Sequence, residues 1–197
     1  MILTGKEDLR VIKTIEAIKA AFEELICEKD YDRITVKDLC DRARINKKTF
    51  YHYYETLDAL LAEMQAELSS GYIDRVKDYI LPDELDKVNR EFFLYSEGKG
   101  LAYEKITCSG GYSSIRQDMI DTVIANTWGK SKQFLKLDPL KQKLLINYIK
   151  TVSIGSYRQW VADGKQMPLE EIIQLSNALI CQGTAGFFRE TGGRRKG

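Results

Sequence analysis

Apolar residues recur every three or four positions through most of this chain, the spacing of helices with one buried face rather than the alternation of strands. Between Leu9 and Glu28, Ile15, Ile18, Phe22 and Leu25 fall on one stripe. The turn-forming stretch KDYDR interrupts it. Ile34 then precedes Thr35, whose hydroxyl can cap a second helix over about Val36 to Ala43, with Asp38 at its third position. In that helix Val36, Leu39, Cys40 and Ala43 face inward. After the short connection RIN, Asn46 is a good cap for a third helix, with Phe50 and Tyr54 four apart on one face. Helices this short do not persist alone in water, so both must pack on the first helix and on a later one. That later one starts at Thr56, carries Leu57, Leu60, Leu61, Met64 and Leu68, and ends near YILPDE, where Pro82 limits it.

Five further helical segments are expected: Asp83 to about Ser96, about Leu101 to Thr107, about Ser113 to Phe134, about Pro139 to Ala162, and Pro168 to about Arg189. In the last, Leu169, Ile172, Ser176, Leu179, Gly183 and Phe187 form a stripe whose small members let another helix approach. The expected fold is therefore all-α. A three-helix N-terminal domain over 9–55 is joined by a long fourth helix to a helical domain over 56–190, with a frayed tail at 191–197 and about nine helices in all.

Composition narrows function more by distribution than by totals. The 197 residues carry a net charge of only +1, yet Arg33 to Tyr54 holds six Lys or Arg against two Asp. The four cysteines, Cys27, Cys40, Cys108 and Cys181, form no CxxC pair, which fits reduced thiols in a cytoplasmic protein. No apolar run approaches the roughly 20 residues of a membrane span, and no secretion signal is legible at the N-terminus. With one histidine, His52, there is no partner for metal or triad chemistry, and Cys108 before SGG lacks a base. No enzyme activity, metal or cofactor is expected.

The basic segment has a chemistry of its own. Two short helices joined by a tight turn, the second basic and aromatic, suit a reader of the DNA major groove. With Phe50 and Tyr54 inward, Lys47, Lys48, Thr49 and Tyr51 are free to meet DNA. Lysine donates to guanine or phosphate, the threonine methyl can touch a thymine methyl, and a tyrosine hydroxyl can bond phosphate. The same residues also suit a plain solvated lysine face above an aromatic core.

The stretch ITVKDLCDRARINKKTFYHYYETLDALL resembles, in residue identity and spacing, the N-terminal DNA-binding domain of the tetracycline-repressor (TetR) family of bacterial transcriptional regulators, over about Lys13 to Met64. The resemblance implies that Lys47, Lys48 and Thr49 face base edges and that Tyr51 contacts DNA. Tyr53 falls where the family often places a phosphate-touching tyrosine or histidine, and Lys37 where a side chain can reach groove or backbone. Phe50 and Tyr54 match core positions. Two departures stand out. Arg44 replaces a common turn glycine, which costs roughly 1 kcal/mol if the position needs positive φ but puts a charge near DNA. Leu57 replaces a lysine near the start of the fourth helix.

Useful specificity needs two half-sites and hence a twofold dimer on palindromic double-stranded DNA. The two C-terminal helices suit a four-helix interface, with Tyr148, Val152, Ser156, Ser176, Leu179, Gly183 and Phe187 as candidate contacts. Phe92, Tyr95, Tyr103, Met119, Trp128 and Tyr157 offer material for an effector pocket and suit a plain core equally. The stretch from Gly155 to Ile180 is weakly similar to a TetR subgroup that includes the dihydroxyacetone-kinase operon activator, in which the effector can be a protein. The expected function is a homodimeric repressor released from its operator by a small-molecule or protein effector. The alternatives are an activator or partner-controlled regulator of the same build, and a helical interaction module with weak DNA affinity.

Overall fold

The computed structural model describes residues 8–192, and within them every regular element is helical. Ten α-helices follow in order: α1 (Leu9–Glu28), α2 (Val36–Ala43), α3 (Lys47–Tyr53), α4 (Leu57–Val76), α5 (Leu85–Glu97), α6 (Gly100–Cys108), α7 (Ser113–Asn126), α8 (Lys132–Leu135), α9 (Pro139–Ala162) and α10 (Leu169–Gly192). Most boundaries follow local capping chemistry. Thr35 and Asp38 form a reciprocal capping box at α2, Asn46 caps α3, and Asp138 caps α9 just ahead of Pro139.

Two expected boundaries move. α4 stops at Val76 rather than near Pro82. The helix expected over Ser113 to Phe134 breaks after Asn126, where Thr127 leaves helical geometry and Trp128–Lys130 form a 3-10 turn. Ser131 then starts α8, accepting from the Phe134 amide while its hydroxyl donates to the Leu81 carbonyl at 2.7 Å. Of the expected tail, residues from 193 onward lie outside the described ones.

The chain folds into two compact units. The first takes the chain up to Ser69 together with Gly100–Met119, and the second takes Ser70–Lys99 together with Ile120 onward. The expected DNA-binding domain at 9–55 therefore packs as one body with the first part of α4, with α6 and with the start of α7.

In the first unit Phe22, Leu39, Phe50 and Leu60 from α1 to α4 are fully buried together. Each such side chain contributes about 1.5–3 kcal/mol, which offsets the poor intrinsic stability of α2 and α3. The far end of α1 is covered by the turn before α7. Tyr112 donates its hydroxyl to the Lys29 carbonyl at 2.9 Å, and Gly111 passes so close to Asp30 that a Cβ would meet its carboxyl at 2.9 Å.

In the second unit α10 packs along both α9 and α5, and α5 also touches α9. The Phe92, Phe93 and Tyr157 rings meet edge-on at 5.6–5.8 Å, and Asn89 crosses to α10, donating to Ser176 Oγ at 3.0 Å and Asn177 Oδ1 at 2.8 Å. Trp160 donates to the Met167 carbonyl at 2.7 Å and closes the turn between α9 and α10. Gly71 on α4 has the buried Tyr95 ring directly over it, so that an added Cβ would lie 2.7 Å from the Tyr95 hydroxyl.

Replacing a helical glycine by alanine ordinarily gains about 1 kcal/mol, but overpacking a buried ring costs about 1–3 kcal/mol. Gly71→Ala should therefore lower the urea-unfolding free energy of the protein. In a Tyr95→Phe background the same change should become neutral or favourable, since the colliding oxygen is gone.

Candidate nucleic-acid interface

α2 and α3 meet at a turn set by backbone geometry. Arg44 ends α2 in the left-handed region, φ 55° and ψ 42°, and the Ile45 amide returns to the Cys40 carbonyl at 3.0 Å. The sequence-level expectation for that position holds, and arginine accepts a cost of roughly 1–2 kcal/mol there. Asn46 Oδ1 then accepts from both the Thr49 amide, at 2.8 Å, and the Thr49 hydroxyl, at 3.0 Å. Thr49 is thus half-buried with its hydroxyl committed, leaving its methyl as the groups available for contact.

Phe50 is fully buried and Tyr54 nearly so, its hydroxyl donating to Glu63 at 3.1 Å. Around these two rings Lys47, Lys48, Tyr51 and His52 of α3 are exposed. Lys47 and Lys48 are exposed, and Tyr51 is 53% exposed. Tyr53 packs partly against the core with its ring edge-on to His52 at 4.9 Å. Lys37 and Arg44 are exposed on the same helix-turn-helix.

The cations of this segment are of two kinds. Arg42 is drawn back to α1, donating to Glu24 at 3.0 Å and Glu28 at 2.8 Å. Lys37, Arg44, Lys47 and Lys48 make no ion pair among the described residues. Of this unpaired set, Lys47 and Lys48 lie in the first turn of α3. Leu57 is half-buried against the core of the first unit, so the departure from the family lysine serves packing. The α4 start is closed by Thr56, whose hydroxyl accepts from the Ala59 amide at 3.0 Å.

The other expected sites are redistributed. Of the effector-pocket residues, Phe92, Tyr95 and Tyr157 belong to one ring cluster around Tyr72. Trp128 packs instead on Phe134, while Tyr103 and Met119 belong to the first unit, Met119 against its core. Of the expected dimer contacts, Ser176 is 1% exposed and bonded to Asn89, so it faces inward. Tyr148 lies across Gly183 within the same chain and donates to the Leu179 carbonyl at 2.6 Å. Val152, Ser156 and Phe187 are half-buried and Leu179 is exposed. Missed in the sequence were Leu140, Leu144 and Leu175, 77%, 62% and 48% exposed; their four-residue spacing to each other or to Leu179 was the available signal.

A seven-residue helix pinned by one buried ring, projecting basic and aromatic side chains beside a capped partner helix, defines a helix-turn-helix. The family model for bacterial regulatory proteins of the tetR family matches residues 18–64. The chain is 35% identical over 78 residues to the uncharacterized HTH-type transcriptional regulator YxbF of Bacillus subtilis, covering 39% of this chain and 20% of that protein. It is 31% identical over 87 residues to a second such B. subtilis regulator, YvdT, covering 42% of this chain and 45% of that protein. The matches thus span less than half the length of these curated relatives. In fold it is similar to a TetR transcriptional regulator from Streptococcus agalactiae 2603V, with 18% identity, a TM-score of 0.68 and coverage of 87% of this chain and 95% of that one. At that identity the likeness to the solved structure is one of fold.

The capping box that starts α2 also carries a pH dependence. The Lys29 ammonium at 2.8 Å, then the Thr35 hydroxyl and amide, hold the Asp38 carboxyl down at about 2. An unfolded aspartate titrates near ~3.9. The stabilisation is therefore complete above about pH 4 and disappears as pH falls towards 2. Asp38→Asn should lower urea midpoints at neutral pH, decline less than the wild type through that acid window, and converge with it at the bottom.

Proposed function

We propose that this protein is a homodimeric regulator of transcription that reads palindromic operator DNA with one α3 from each subunit. In the most direct form it is a cytoplasmic repressor that covers a promoter and is released by an effector. The observation that carries this reading is the sorting of charge: Arg42 is neutralised on α1, whereas Lys47 and Lys48 stand exposed and unpaired beside Tyr51.

The dimer is supported by solvent-facing leucines on the last two long helices. Leu140 and Leu144 on α9, and Leu175 and Leu179 on α10, lie one turn apart in pairs. Such apolar surface on a monomer marks an interface, and a single α3 spans too few base pairs for an operator. An effector acts here only by preferring one dimer geometry over another. The similarity of the Gly155 to Ile180 stretch to the dihydroxyacetone-kinase activator subgroup favours a second reading, an activator under a protein partner.

Selection of bound duplexes from random DNA should enrich a palindrome. Affinity for it should fall steeply with salt, and the Lys47→Ala, Lys48→Ala, Tyr51→Ala variant should bind weakly with a log–log salt slope reduced by roughly 2 per half-site. Enrichment of no sequence by folded protein would refute the reading. Separately, Leu144→Asp with Leu179→Asp should convert a dimer into a folded monomer in sedimentation experiments while leaving helical content unchanged.

A further inference from the structure

Three carboxylates stand at the start of α5, and the structure uses only one of them. Glu84 is occupied on both oxygens, accepting from Lys87 Nζ at 2.6 Å and from the Ile80 amide at 2.8 Å. Asp83 and Asp86 make no ion pair among the described residues, and both line a cleft of roughly 520 Å³ in the second unit. The opposite wall is α10, with Cys181, Thr184, Ala185 and Phe188, and Gln133 of α8 closes one side. No Lys or Arg lines it.

Thr184 supplies an independent observation. It is 2% exposed, and its Oγ1 has no hydrogen-bond partner, although a helical threonine can usually bond a carbonyl one turn back. A buried hydroxyl left unsatisfied is costly, so its presence in a cleft wall calls for a polar partner from outside the fold. The charge of Asp86 also reaches into the cleft: the Cys181 thiol is pushed up first by burial and then by that carboxylate.

The helix dipole favours acidic side chains at the start of α5 without any ligand. It accounts for neither the apolar wall of Leu85, Ala185 and Phe188 nor the orphaned hydroxyl. Among the described residues no group of three or more His, Cys, Asp or Glu side chains is placed to hold a metal ion. Cys181, Ala185 and Phe188, at i, i+4 and i+7, also lie on a different side of α10 from the exposed Leu175 and Leu179, so the cleft is separate from the proposed dimer face.

We propose that this cleft binds an organic ammonium ion with an apolar body. Asp83 and Asp86 supply the opposing charge, Thr184 a further acceptor, and Leu85, Ala185 and Phe188 the apolar wall. Titration calorimetry on the full chain at low salt, with 4-phenylbutylamine and its neutral counterpart 4-phenylbutan-1-ol, tests this. The amine should bind at least about tenfold more tightly than the alcohol. Asp83→Asn with Asp86→Asn should reduce the amine to the level of the alcohol, and Thr184→Val should weaken it several-fold without lowering the melting temperature. Equal binding of the two compounds, no binding of the amine at millimolar concentration, or unchanged affinity in the folded double variant would overturn the proposal. No DNA is present in the measurement, so its outcome is independent of the operator reading.

Discussion

The first unit depends on the burial of one ring, that of Phe50. α3 is only seven residues long, and a helix of that length is unstable unless tertiary contacts hold it. Phe50 supplies such a contact among the apolar residues of α1, α2 and α4, and Tyr54 completes it at the helix end. Tyr54 is itself tied by its hydroxyl to Glu63, which meets the Lys19 ammonium at 3.0 Å. Once these inward residues are fixed, helical geometry determines which side chains point outward. The identities of those outward residues can then serve recognition with little effect on folding.

Charge on this surface is selected by pairing rather than by count. Lys29 is held by Asp38 and Arg42 by two glutamates of α1, so both act as braces between helices. Exposed pairs of this kind contribute little stability each, typically about 0–1 kcal/mol. Their larger effect is geometric, since they fix α2 against α1 and leave the remaining cations unneutralised. The local charge excess legible in the sequence thus overstates the positive surface, because Arg42 counts in composition but not in the exposed field.

Local chemistry made much of the fold legible. Thr35, Asn46 and Asp138 announce helix starts because a capping side chain bonds amides only two or three residues away. The inward and outward faces of α3 follow from the same short-range geometry. The break at Thr127 was hidden because Val123, Ile124 and Trp128 continue a helical rhythm across it, while the ring of Trp128 is buried from a 3-10 turn. The pairing of Arg42 with residues 14 and 18 positions away depends on how α1 and α2 pack, which no local pattern encodes. For the same reason Tyr103 and Met119 could not be separated in the sequence from the rings of the second unit. The cleft at the start of α5 was illegible too, since it joins residues about a hundred positions apart.

The contact of Tyr148 with Gly183 links two positions that are distant in the chain. The tyrosine hydroxyl reaches the Leu179 carbonyl only because position 183 has no side chain to stand in its way. Substitution at 183 must swing the ring aside and forfeit that bond, whereas shortening the residue at 148 first removes the obstacle. Among descendants of this sequence the two sites should drift as a couple, with the change on α9 preceding the one on α10.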